Sequence, residues 1–190
     1  MSIIITNYNY ERFIADAVES ALGQSYANVE VIVIDDGSTD RSREVLARYA
    51  DRVSVHYESN GGQAKAFNSG FSKCNGEIVV FLDADDVLAP QAVERVNAAF
   101  DGDTAKVQFR LDCVGEDLLP LGWTEPKSSL EMPSGDLSGV VLRKAGYVAP
   151  PTSGNAFARS CLELILPIPE QEYRLCADAY LLLLSPLHGK

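Results

Sequence analysis

Asp83-Ala84-Asp85-Asp86 follows an unbroken apolar run, Ile78 to Leu82, and puts carboxylates one residue apart. On an extended chain alternate side chains share a face about 7 Å apart, so Asp83 and Asp85 are expected to serve one site, with Ala84 leaving its floor open. Hard oxygen ligands suit Mg²⁺ or Mn²⁺, ions that keep several waters and take further ligands from substrate phosphates. An acidic run after a strand also makes a turn with favourable charge for a following helix, so its setting among other polar clusters must decide.

Three further clusters supply that setting. Asp35 and Asp36 end the run Val29 to Ile34, where a carboxylate can accept the imide N–H of a uracil or the amino groups of a guanine. Ser38, Thr39 and Asp40 are better placed to cap the next helix. Tyr8 is expected to stack on a base, and Tyr10 to pack beneath the first helix. Asn60-Gly61-Gly62-Gln63 places two glycines where backbone approaches a ligand closely or takes positive φ, which fits a loop facing phosphate or ribose. Lys65 is a candidate to offset diphosphate charge, or else a solvated helix lysine.

The elements that must position these residues follow from apolar periodicity. Ile3 to Ile5, Val29 to Ile34, Val53 to Tyr57 and Ile78 to Leu82 read as strands, the more apolar of them buried on both faces. Helices are expected through Phe13 to Leu22, around Val45 to Tyr49, over Ala64 to Ser72 and from Pro90 to about Phe100. Such alternation implies an open, mostly parallel α/β sheet flanked by helices, whose ligands bind beyond the carboxyl ends of the strands. All four polar clusters fall there. After Phe100 the pattern loosens. Ala105 to Val114 is a possible strand, Pro120 to Pro133 a loop with a short strand, and Val148 to Asn155 a loop. Helices are expected near Leu137 to Lys144, Leu162 to Leu166 and Tyr173 to Leu184.

The chain has 190 residues, 46% hydrophobic and 23% charged, which suits one globular domain. A net charge of −11 argues against a nucleic-acid partner, which needs clustered Lys and Arg. Cys74, Cys113, Cys161 and Cys176 form no CxxC pair and are expected reduced and mostly buried. The longest apolar run, Ala179 to Leu184, is far short of the ~20 residues of a membrane span. With no signal-peptide pattern at the start, a cytoplasmic location is expected, with peripheral attachment at the inner membrane face open. His56 and His188 are assigned no role, and Trp123 is read as ordinary packing rather than an acceptor-stacking platform. Thr152-Ser153-Gly154-Asn155 is either an acceptor-side loop or a plain turn.

Taken together, Ile4-Ile5-Thr6-Asn7-Tyr8-Asn9, Val31 to Asp40, Asn60-Gly61-Gly62, Asn68-Ser69-Gly70 and Phe81 to Asp86 resemble the family-2 inverting glycosyltransferases of the GT-A fold. The likeness covers Ile3 to Phe100. It implies a nucleotide-sugar-binding half at 1–100 and an acceptor-side region of the same domain at 101–190. It further implies that Thr6, Tyr8 and Asp36 contact the nucleoside, Asp83 the ribose or the metal shell, and Asp85 the metal. An acidic general base usually opens a late helix in this family, and Asp178 in Cys176-Ala177-Asp178-Ala179-Tyr180 matches that position. The usual Glu-Asp pair reads Ala177-Asp178 here, which leaves Glu170 and Glu172 as alternatives, and Thr6-Asn7 replaces a common Pro-Thr. Family members generally continue well beyond this helix, so the chain is expected to be a fragment truncated at its C-terminus.

The expected function is transfer of a sugar, with inversion, from a nucleoside-diphosphate sugar, UDP foremost, to a glycan, lipid-linked or small-molecule acceptor hydroxyl. Mn²⁺ or Mg²⁺ is the expected cofactor. The alternative is a nucleotide-sugar-binding module or fragment without turnover. A nucleotidyltransferase is disfavoured because Thr6 to Arg12 carries no glycine-rich loop.

Overall fold

A computed structural model describes residues 1–190. The first half runs β1 (Ser2–Asn7), α1 (Ile14–Leu22), β2 (Glu30–Asp35), α2 (Ser42–Leu46), β3 (Ser54–Tyr57), α3 (Gln63–Lys73), β4 (Ile78–Asp83) and α4 (Ala92–Ala99). The second runs β5 (Lys106–Gln108), β6 (Leu111–Val114), β7 (Pro120–Glu125), α5 (Ser138–Lys144), β8 (Asn155–Ala158), α6 (Arg159–Ile165) and α7 (Ala177–Leu184).

Six strands form one sheet in the order β3-β2-β1-β4-β8-β5, and β6 pairs with β7 in a separate hairpin. The first four strands are mutually parallel, whereas β8 runs antiparallel to both neighbours. The mostly parallel α/β architecture read from the sequence is therefore present, with one strand that reading missed. Asn155-Ala-Phe-Ala158 is only four residues long and only Phe157 is bulky, so neither periodicity nor β-propensity marked it. The stretch Ala105 to Val114 divides instead of forming one strand, β5 joining the main sheet and β6 the hairpin.

The apolar strands bury both faces because successive side chains point opposite ways. Ile3, Ile5, Val31, Val33, Val80 and Leu82 pack with α1, Leu46 of α2, and Val93 and Val96 of α4. Ile4, Ile32, Ile34, Val79 and Phe81 meet Ala64, Ala66 and Phe67 of α3, Leu162 of α6 and Leu181 of α7 on the other side. Phe67 stacks on Phe81 with ring centroids 4.2 Å apart, and Phe157 meets Phe81 edge-on at 6.3 Å. The result is three layers with the carboxyl ends of β1, β2 and β4 opening at one rim. No helix is long and apolar enough to cross a membrane.

Candidate active site

At that rim lies a crevice of about 620 Å³ lined by fourteen residues, among them Thr6, Tyr8, Asp36, Asn60, Asp83 and Asp85. Sheet register explains the convergence: Thr6 pairs with Ile34 of β2 on one side and with Asp83 of β4 on the other. Tyr8 follows immediately and is half exposed, its ring free at the crevice.

Asp35 and Asp36 have separate fates. Asp35 is fully buried, accepting hydrogen bonds from Asn7 Nδ2 (2.9 Å) and Ser38 N (3.1 Å) and pairing with Arg43 Nε at 3.3 Å. It does not reach the crevice, which corrects the expectation that it contacts a ligand. Inward-facing on the last residue of β2, it knits the ends of β1 and β2 together. Asp36 does line the crevice and accepts from Gly61 N and Gly62 N, each at 2.7 Å, and from Asn60 Nδ2 at 3.2 Å. One carboxylate thus shapes the whole Asn60–Gly62 loop, with Gly62 at φ 89°. Gly61 is spent on this bond and does not line the crevice, although its neighbours do.

Lys65 is likewise corrected. Its Nζ donates to Ser59 O (2.7 Å) and Ser59 Oγ (3.0 Å) and lies 3.9 Å from Glu58, away from the crevice lining. Tyr10, expected under the helix, stands 39% exposed at the crevice instead. The charge of Asp85 above all, then burial and the charges of Asp83 and Asp86, raise its hydroxyl above the ordinary tyrosine value.

The chain does not stay extended through Asp83-Ala84-Asp85. Asp86 N donates to Asp83 O at 3.1 Å, so β4 ends in a turn that leaves Asp85 exposed, Asp83 and Asp86 half-buried, and Ala84 in the core. The four residues are better turn formers than strand formers. Burial, then the charge of Asp86, pushes the Asp83 carboxyl up to about 7; a hydrogen bond from Thr152 opposes this, and Asp85 and Asp178 add to it. Asp86 is raised by burial and by Asp85, against a hydrogen bond from Ser153. Ser153 Oγ also accepts Asp83 N at 3.0 Å. Thr152 and Ser153, buried in a single turn of 3₁₀ helix at Thr152–Gly154, therefore support the acidic turn, a role their sequence did not announce.

Asp178 sits in the first turn of α7, outside the crevice lining yet near enough for its charge to raise Asp83. Gln63 places it. Gln63 N donates to Arg174 O (2.7 Å), Gln63 Oε1 accepts Ala177 N (2.9 Å), and Gln63 Nε2 reaches Thr152 Oγ1 at 3.4 Å. Ala177 N is one of the orphan donors at a helix start, so a side chain from α3 caps α7. Glu170 and Glu172 are exposed and line no part of the crevice. Trp123 is exposed on β7, and His56 Nε2 meets Ser54 Oγ at 2.9 Å. Of the four free cysteines only Cys74 and Cys161 are buried; Cys176 is exposed and Cys113 intermediate.

No group of three or more His, Cys, Asp or Glu side chains is assembled to hold a metal. The donors present nonetheless fit a hard divalent ion. Asp83 and Asp85 offer carboxylate oxygens without an ion-pair partner, and neighbouring negative charge adds to burial in lifting Asp83. Two side-chain ligands suffice for an ion that completes its shell with water and phosphate.

An open α/β sheet of this topology, with an acid-lined crevice at its carboxyl edge, is that of the GT-A glycosyltransferases. The chain belongs to glycosyl transferase family 2, whose model matches residues 2–144. An uncharacterized glycosyltransferase of Nostoc sp. is 37% identical over 199 residues, covering 100% of this chain and 60% of the relative. S. aureus TarS has a similar fold, with a TM-score of 0.72 at 22% identity over 100% of this chain and 34% of its own; its residues 1–349 have been solved with UDP and with UDP-GlcNAc. A mannosyltransferase from Pyrobaculum calidifontis, solved with GDP-Man and Mn²⁺, matches with a TM-score of 0.61 at 23% identity over 89% of this chain and 47% of its own. The chain thus spans about 60% of the length of the Nostoc relative.

Proposed function

We propose that this chain binds a nucleoside-diphosphate sugar and transfers the sugar, with inversion and with a divalent cation, to an acceptor hydroxyl. The observation that carries this reading is the convergence of Thr6, Tyr8, Asp36, Asn60, Asp83 and Asp85 on one crevice. The UDP and GDP-Man held by the similar folds support the substrate class, and the Mn²⁺ supports the cofactor. Residues 1–100 would form the donor side and 101–190 the acceptor side, extended by whatever the longer relatives add.

In this reading Tyr8 stacks on the base, while Thr6 and Asp36 contact the nucleoside. Asp36 already accepts three donors, but a carboxylate offers about four lone-pair sites, so one remains for a base N–H. Asn60 and the backbone at Gly62 face ribose or phosphate. Asp83 and Asp85 would hold Mn²⁺ or Mg²⁺, and the bound ion supplies Lewis-acid stabilisation of charge on the departing diphosphate. Asp178, anchored through Gln63, takes the proton of the attacking hydroxyl as general base.

Paired variants separate the two carboxylate roles. Asp85→Ala is expected to abolish the Mn²⁺ dependence of UDP or GDP binding in calorimetry. Asp178→Asn should keep donor affinity within about twofold while lowering transfer by roughly 10²-fold or more. UDP and GDP affinities of wild type that are indifferent to Mn²⁺ would overturn the cation role, and full turnover of Asp178→Asn would clear Asp178. A nucleotide-sugar-binding module without turnover is favoured by one fact, the position of Asp178 outside the crevice lining; release of sugar from the donor into water by wild type decides against it.

A further inference from the structure

The crevice carries three acids, Asp36, Asp83 and Asp85, and one basic side chain, Arg174. We infer that Arg174 is a donor-binding residue that pairs with the phosphates of the nucleoside diphosphate, an inference that rests on the donor site proposed above. It takes the part for which the sequence had suggested Lys65, whose ammonium is held by Ser59 on the outer side of α3.

Geometry fixes where the guanidinium stands. The Arg174 carbonyl accepts Gln63 N at 2.7 Å, anchoring its backbone to the first residue of α3. The same carbonyl abuts Gly62 so closely that a Cβ there would overlap it. Its Nη2 donates to Asn60 Oδ1, in the loop that Asp36 organises. Arg174 is therefore held against the Asn60–Gly62 loop at both its backbone and its head.

Chemistry then decides what that head serves. One of five guanidinium donors is engaged, and Arg174 forms no ion pair with any carboxylate of the chain, while Arg12, Arg41, Arg43, Arg52 and Arg159 all do. An unpaired arginine in an acid-lined crevice has spare donors in the planar fork that matches phosphate oxygens. The first turn of α3 beside it bears no acidic residue of its own, but the Asp36 carboxylate sits against Gly61 N and Gly62 N at its start, so Arg174 supplies the positive charge an anion there needs. A donor diphosphate would otherwise meet three carboxylates with only a cation between them.

Calorimetry with the nucleoside, monophosphate and diphosphate of uridine and of guanosine, at constant Mn²⁺, tests this. For whichever base wild type prefers, Arg174→Gln is expected to weaken the diphosphate about tenfold or more and to leave the nucleoside within about twofold. Arg174→Lys should recover part of the loss, because it restores the charge without the fork. Substitution keeps the backbone carbonyl that binds Gln63, and the side chain is exposed, so folding is not at stake. Equal weakening of nucleoside and diphosphate, or none of either, overturns the assignment of Arg174 while leaving the donor site intact. A wild type that binds no member of either series overturns the donor site itself, and Arg174 with it.

Discussion

Asp83 shows most directly what burial beside other carboxylates does to an acid in the crevice. Its carboxyl is pushed up to about 7 by burial and by neighbouring carboxylates, against an ordinary value of 3.8 in the unfolded chain. A group whose folded value is raised binds its proton more tightly when folded, so that favourable contribution is complete below the unfolded value and disappears as pH rises through about 7. Metal-free protein in chelator is therefore expected to melt at progressively lower temperature from about pH 5 to 8, and Asp83→Asn to flatten that slope. Parallel pH profiles for wild type and Asp83→Asn would sink the assignment. The acidic residues themselves were legible in the sequence; which of two adjacent carboxylates lines the crevice was not. Asp35 and Asp36 differ by one residue, and in a strand one residue is a change of face. Arg174 was missed for a different reason: it stands just before α7, more than a hundred residues along the chain from the loop it touches, and no periodicity announces such a contact.

Elements of the first half could be read because the two strand faces and the helices that cover them are both written in apolar periodicity. Gly70 is where that packing is tightest. It lies in α3 over β1, and a Cβ there would overlap Cγ2 of Ile4, a β-branched side chain fully buried in the sheet. In an exposed helix Gly→Ala gains about 1 kcal/mol. Here the methyl meets Ile4, a fully buried side chain whose χ1 is restricted by its branching and which sits in a close-packed interior, so it cannot yield freely. Overpacking of this kind costs about 1 to 3 kcal/mol, so Gly70→Ala is expected to be net destabilising in urea unfolding. A gain in stability would mean that α3 can lift from β1, contrary to the close approach described. The Asn68-Ser69-Gly70 pattern thus has a packing cause for its glycine, and Asn68 has another, since it exchanges hydrogen bonds with Ile168 N (2.8 Å) and Ile168 O (2.9 Å).

Across the whole molecule, the second half of the chain braces a crevice whose lining acids, Asp36, Asp83 and Asp85, all come from the first. Fully buried Asn155 on β8 shows how. Its Nδ2 donates to Pro151 O (2.8 Å), Pro150 O (3.2 Å) and Thr152 O (3.3 Å), and its Oδ1 accepts Lys106 Nζ at 3.1 Å from the sheet edge. Those carbonyls belong to the turn whose Thr152 and Ser153 hydroxyls hold the Asp83–Asp86 turn in place. Asn155→Ala removes one side chain and leaves the carbonyls of the turn without this side-chain donor and Lys106 Nζ with Gln108 as its remaining hydrogen-bond partner, a loss of about 2 to 4 kcal/mol. Because the freed turn is the one under the acidic residues, Mn²⁺-dependent nucleotide affinity should fall several-fold at temperatures where the variant remains folded, although Asn155 lines no part of the crevice. Urea unfolding gives the first quantity and calorimetry the second. If stability falls while affinity stays put, then Thr152 and Ser153 hold their positions without Asn155, and the bracing runs through the antiparallel pairing of β8 with β4 alone.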